Sequence, residues 1–101
     1  MARKVYRYGP LEISMEAPQV VHMPVNAQIS FIGSKTDGFI DIWAVVDEEA
    51  ADHTAPRTFQ IFGTGEAIPE DAQYCETIIQ ETLTSFRNGS RVWHVFERLA
   101  D

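Results

Sequence analysis

The sequence is poor in cysteine, in basic residues and in long apolar runs, and each shortage excludes a class of protein. The single cysteine, Cys75, rules out an internal disulfide framework and a zinc site built from several cysteines. Eight lysines and arginines against fifteen aspartates and glutamates give a net charge of −7. A protein that binds long nucleic acids needs a basic surface, so this composition argues against that class.

Long apolar runs are also missing. The longest uninterrupted one is 42–46, whereas a secretory signal needs about 7–15 apolar residues and a membrane-spanning helix needs roughly 20. The sequence therefore predicts a soluble protein that stays in a reducing cytoplasm and has no membrane partner. With 101 residues, of which 45% are hydrophobic, the chain is long enough for one core, so we expect a single domain over 1–101.

Apolar residues recur with a period of two far more often than 3.6, which predicts strands rather than helices. Turn residues separate the extended segments, and Asp37-Gly38 and Asn88-Gly89 are hairpin signals. We expect an all-β fold, a small antiparallel sandwich or partly open barrel of about seven strands. At most two short helical turns are expected, at 47–52 and 69–74. The predicted extended segments are 5–13, 20–23, 28–33, 39–46, 57–62, 77–86 and 91–98.

Two of these segments are apolar on both faces. Along 91–98, Val92, His94 and Phe96 share one face while Trp93 and Val95 share the other. Segment 39–46 behaves similarly and carries Trp43. One small domain has little room to bury both faces of two strands, so we expect a tryptophan-bearing face to be covered by a ligand or by another subunit, in a dimer or a higher homo-oligomer.

Several motifs together resemble those of a family of small bacteriophage proteins. They are Met23-Pro24, the strand 43–47, the loop Phe62-Gly63-Thr64-Gly65 with Ile68-Pro69 after it, Thr77, and the C-terminal strand Val92-Trp93-His94-Val95-Phe96-Glu97. The resemblance implies a phage accessory protein acting in the host cytoplasm. It implies no reaction and no catalytic residues. The chain departs from the family pattern at Glu66, where a small polar residue or histidine is usual, and a carboxylate there would weaken anion binding.

The Gly63-Thr64-Gly65 loop supports two interpretations. Its glycines allow backbone N–H groups to converge on a phosphate, but it matches neither the Walker loop nor the dinucleotide fingerprint. The simpler alternative is a tight turn that ends a strand. His94 is likewise either a buried, hydrogen-bonded histidine or a donor to a ligand.

A nucleotide needs an aromatic face for its base and an arginine for its phosphate. Trp43, Trp93, Arg57 and Arg91 supply these groups, although core aromatics and surface arginines would explain the same residues. Together with the glycine loop and His94, they are the candidate ligand-binding residues.

We expect neither a metal site nor a cofactor. His94 and Glu97 are an odd number of residues apart on a strand and so face opposite sides. We expect no enzyme either, because there is no nucleophile elbow and Cys75, beside Glu76, is expected to be a half-buried structural thiol.

Three functions remain. The first is a non-catalytic phage protein that counteracts host defence by sequestering a small nucleotide-type signal. The second is a protein-interaction module that inhibits a host enzyme directly. The third is a minor virion or assembly component.

Overall fold

The alternating pattern of the sequence folds into two sheets packed face to face. The computed structural model describes residues 2–84 and 87–99, and within them the side chains of all residues except 50 and 80–90. In that part of the chain there are seven strands and one 3-10 turn, Glu48–Ala50. The strands are β1 (Arg3–Glu12), β2 (Gln19–Pro24), β3 (Gln28–Gly33), β4 (Phe39–Asp47), β5 (Thr54–Gly63), β6 (Ala72–Thr84) and β7 (Arg87–Arg98).

One sheet has three strands in the order β1-β4-β3, and the other has four in the order β2-β5-β7-β6. Every pairing is antiparallel. The predicted all-β sandwich of seven antiparallel strands is confirmed, as an open sandwich and not a closed barrel. Among the described residues, no helix is long and apolar enough to cross a membrane.

The core lies between the two sheets. From β4 it takes one face of the strand, including Ile40, Ile42 and Ala44, which are fully buried. From the other sheet it takes Phe59 of β5 and Val95 of β7. The two strands predicted to be apolar on both faces, β4 and β7, are both interior strands of their sheets. In-sheet neighbours pair with the edges of β4 and β7 but do not cover their faces, so the outer face of β4, which carries Trp43, is not buried by this position.

The connection between β5 and β6 crosses the four-stranded sheet. Both strands pair antiparallel with β7, which lies between them, so they run parallel to each other. Residues 64–71, here called the crossover segment, pass over β7 to join them. Thr64 anchors the start of the segment on His94, and Asp71 anchors its end through an ion pair with Arg98. Both anchors lie on the outer side of the sheet. Phe62 lies on the same side and is only 4% exposed.

Turns confirm some predictions and correct others. The hairpin at Asp37-Gly38 joins β3 to β4, and Gly38 has the positive φ of 88° that such a turn favours in glycine. The predicted helical turn at 47–52 is present as Glu48–Ala50, capped by the Asp47 side chain, which accepts from the N–H of Glu49.

The second predicted helical turn, at 69–74, is wrong. The N–H of Ala72 closes a turn on the carbonyl of Pro69, and β6 begins at Ala72 because that residue pairs with Arg98.

The hairpin turn predicted at Asn88-Gly89 is also wrong. These residues belong to β7 and pair with Leu83 and Thr82. The register is set nearer the core, where buried Ile78 lies opposite Trp93, and it runs without a shift from there to Thr84 opposite Arg87. The strands therefore connect at 85–86, outside the described residues, where the predicted extended segment 77–86 also ends.

Candidate functional site

A cleft of about 840 Å³ opens at one end of the sandwich, and we call it the end cleft. Strand β7 contributes Arg91 and Trp93 to its lining, β5 contributes Ile61, and the turn after β5 contributes Glu66. The opposite wall is formed by residues 12–16, which begin at the last residue of β1, together with Gly38 and Phe39. Among the described residues, the end cleft thus combines two aromatic residues, Trp93 and Phe39, with one cation and three carboxylates.

Gly63 brings the carboxylate of Glu66 close to the indole of Trp93. A Cβ atom at position 63 would lie 3.1 Å from Oε1 of Glu66 and 3.9 Å from Cζ3 of Trp93. The absence of a side chain at Gly63 leaves the space that Glu66 occupies. The indole Nε1 of Trp93 is buried and has no hydrogen-bond partner among the described residues. A buried N–H of this kind is costly to leave unpaired.

The Gly63-Thr64-Gly65 loop is a tight turn. The N–H of Glu66 donates to the carbonyl of Gly63 at 3.2 Å, and Gly65 adopts a φ of 93°. The Glu66 N–H is therefore used within the turn rather than directed at a ligand. This geometry is the simpler of the two interpretations of the loop, and anion binding by the loop stays a prediction.

His94 holds this turn from the outer side of the sheet. Its Nε2 lies 3.0 Å from Oγ1 of Thr64, and its Nδ1 lies 3.1 Å from Oγ1 of Thr77. The Thr77 hydroxyl in turn lies 2.8 Å from the hydroxyl of Tyr74. Both ring nitrogens of His94 are thus hydrogen-bonded within the chain. Since His94 neighbours Trp93 on a strand, its side chain lies on the face opposite the end cleft.

The Arg57 side chain is hydrogen-bonded to other residues inside the sandwich. Its guanidinium makes two hydrogen bonds of 2.7 Å to the carboxylate of Glu97 and a third, of 2.9 Å, to the carbonyl of Ala27. The hydrogen bond to Glu97 raises the pKa of Arg57 above its usual value. Arg57 does not line the end cleft.

Trp43 lies on the outer face of the three-stranded sheet. Its ring centroid is 5.5 Å from that of Phe31, and Trp43 pairs with Arg7 of β1. Of the residues predicted to bind a ligand, the structure therefore brings Arg91 and Trp93 together, beside the turn at 63–65. It places Trp43, Arg57 and His94 elsewhere.

Sequence reasoning missed the wall at 12–16 and the position of Glu66 inside the end cleft. Residues 12–16 approach β5 through the side chain of Gln60, whose Nε2 donates to the carbonyl of Glu16. Contacts so far apart along the chain leave no mark in local periodicity.

Cys75 is half-buried, as the sequence predicts. Desolvation is the main cause of its raised pKa, and the nearby charge of Glu97 adds to it. A raised pKa leaves little reactive thiolate at neutral pH. Among the described residues there is also no group of three metal-ligating side chains.

A family model described as "Domain of unknown function (DUF7352)" matches residues 1–101. The chain belongs to the DUF7352 family. No curated protein and no solved structure matches it.

The DUF7352 domain has a second cleft, of about 590 Å³, which we call the edge groove. It lies where β3 and β6, one edge strand from each sheet, come side by side. Residues 31–35 and 76–79 line it, together with Asp37. The backbone N–H of Thr77 donates to Oε1 of Glu76 at 3.1 Å. A side-chain carboxylate thus serves as acceptor for a backbone donor in this groove.

Proposed function

We propose that the DUF7352 domain is a non-catalytic protein that binds a small nucleotide-type ligand in the end cleft. The observation that carries the proposal is the presence of Trp93 and Arg91 in one cleft of about 840 Å³. Ligand sites commonly measure about 300–1,000 Å³ and combine apolar walls with a few polar groups. An indole offers a face for a base, and a guanidinium offers paired donors to a phosphate.

The resemblance to bacteriophage proteins supports a biological role for this binding. An accessory protein of this kind, acting in the host cytoplasm, would lower the free concentration of a host-defence signal by holding it. Sequestration requires affinity and no catalytic group. One binding cleft in each domain is sufficient for it.

A thermal-shift panel of cyclic di- and trinucleotides, ADP-ribose isomers and simple nucleotides tests this function. A ligand at 100 times its Kd adds about 2.7 kcal/mol of stability, which raises the Tm of a domain this size by about 10 °C. We expect a rise for at least one nucleotide in the natural protein.

Two variants localise the binding. Arg91→Gln should abolish the rise because it removes the cation of the end cleft, whereas Lys35→Gln removes an equal charge from the edge groove and should leave the rise intact. A flat panel with folded protein would overturn the proposal.

The edge groove favours the second candidate function, a protein-interaction module that inhibits a host enzyme. Edge strands accept an additional strand from a partner, since their outer backbone groups have no neighbour. At Thr77 the carboxylate of Glu76 occupies the place of a partner's carbonyl. Exchange protection of the Thr77 amide on adding a host protein, in a Glu76→Ala variant, would favour this function. No described feature distinguishes the third prediction, a virion or assembly component.

A further inference from the structure

The carboxylates that line the end cleft indicate which class of nucleotide would bind there. Among the residues whose side chains are described, the end cleft is lined by three carboxylates, Glu12, Glu16 and Glu66, and one cation, Arg91. A cleft built only to hold phosphates would not carry three carboxylates, because like charges repel in a partly enclosed space. Glu66 shares the space above Gly63 with the edge of the Trp93 ring.

A carboxylate selects among the bases because it only accepts hydrogen bonds. It has two oxygens and, when ionised, no donor. Guanine presents two adjacent donors on one edge, the N1–H and the 2-amino group. Adenine and cytosine place an acceptor beside their one amino group on that edge, and uracil has one N–H between two carbonyls. Guanine is the base that can satisfy both oxygens of one carboxylate.

We propose that the end cleft is selective for guanine, with the base stacked on Trp93, its N1–H and 2-amino group donating to Glu66, and its phosphate near Arg91. This inference rests on the proposed function and specifies the class of ligand. Oε1 of Glu66 and Cζ3 of Trp93 lie 3.1 Å and 3.9 Å from the same point above Gly63, so a carboxylate acceptor lies beside the indole.

The same charges limit the number of phosphates. Arg91 carries one positive charge, which matches a phosphodiester and offsets part of the charge of a monophosphate, while Glu12 and Glu16 oppose further negative charge in the same cleft. A monophosphate or a phosphodiester of guanosine therefore fits the charge of the end cleft better than a triphosphate.

Calorimetric titration with GMP, AMP, IMP and GTP tests the inference on the natural protein. Hydrogen bonds to a charged group are strong enough that losing them weakens binding by about tenfold to a hundredfold. We expect GMP to bind at least about tenfold more tightly than AMP. IMP, which lacks the 2-amino group, should bind more weakly than GMP, and GTP should bind no more tightly than GMP.

A matched pair of variants assigns the selectivity to Glu66. Glu66→Gln replaces one acceptor oxygen by a donor, so the GMP-to-AMP ratio should fall by about tenfold. Glu70→Gln makes the same charge change at an exposed residue outside the cleft lining and should leave the ratio unchanged.

The outcomes separate the inference from the function on which it rests. Equal binding of GMP and AMP, or an unchanged ratio in Glu66→Gln, would overturn the selectivity and leave nucleotide binding standing. No binding of any nucleotide to folded protein would overturn both. The comparison of GMP with IMP uses only the natural protein. It therefore tests selectivity for the 2-amino group of guanine even where Glu66→Gln does not fold.

Discussion

At the scale of single residues, Arg57 and Glu97 form a bidentate ion pair inside the sandwich. Both side chains are largely shielded, at 25% and 15% exposure, and Arg57 also reaches the carbonyl of Ala27 near the start of β3. A partly buried carboxylate that loses its partner keeps its desolvation cost. The pair therefore matters more to stability than an exposed ion pair of similar length.

Arg57→Gln should lower the free energy of unfolding by about 2–4 kcal/mol, measured by urea denaturation. Lys4→Gln is the control, since the Lys4–Glu48 pair has a similar distance of 2.6 Å but Lys4 is 58% exposed. It should lower the free energy of unfolding much less than Arg57→Gln does, because water screens an exposed ion pair. Equal losses in the two variants would contradict this account of Arg57.

Cys75 yields a prediction about pH. Burial raises the pKa of its thiol in the folded protein, so folding favours the protonated form. The resulting stability is complete below the pKa of the unfolded thiol, about 8.5, and is lost as the pH rises through the folded value. Maleimide labelling across pH should show a higher midpoint in native protein than in denaturant. A native midpoint at or below the unfolded one would refute the prediction.

At the scale of elements, the crossover segment depends on its first turn. Gly65 has a φ of 93°, and a Cβ added there would meet nothing within 4 Å. The cost of a side chain at this position is therefore one of backbone conformation alone.

Gly65→Ala should destabilise the protein by about 1 kcal/mol, read as a fall in Tm of several degrees. Gly65→Asn should cost less, because asparagine tolerates positive φ better than alanine does. A Tm that is unchanged in Gly65→Ala would show that the turn adopts another conformation in solution.

The elements also show how much the sequence could predict. Period-two alternation identified the strands and which residues share a face of β4 and of β7, because each follows from neighbouring residues. The crossover segment and the order β2-β5-β7-β6 could not be predicted, since alternation fixes which side a residue faces and not which strand lies beside it. Alternation likewise could not show that Trp43 lies in the other sheet or that Arg57 pairs with Glu97. That His94 faces away from Trp93 does follow from alternation along β7.

At the scale of the whole molecule, the outer face of the three-stranded sheet exposes large apolar side chains. Val5 and Phe31 are each 57% exposed there, beside Trp43. The strand pairings place Arg3 beside Asp47 and Arg7 beside Trp43, so this face carries both signs of charge although the chain carries −7. Two copies of an acidic chain repel least across such a face, and we propose it as the surface through which the domain self-associates.

Phe31→Ser should shift the protein toward monomer in sedimentation velocity, because it removes an exposed aromatic ring from that surface. Tyr74→Ser is the control, since Tyr74 is similarly exposed, at 55%, on the other sheet. It should leave the sedimentation coefficient unchanged. A natural protein that sediments as a monomer at high concentration would contradict the proposed self-association.

The central position of β7 has a consequence for synthesis on the ribosome. The strands emerge in chain order, and β7, the last of the described strands, is the one that β5 and β6 both need as a neighbour. While residues 87–98 are still in the exit tunnel, β2 and β5 can pair but β6 has no neighbour in its sheet. A nascent chain stalled before β7 emerges therefore exposes strand edges to aggregation, and we expect its protease resistance to rise only once residue 98 has left the tunnel.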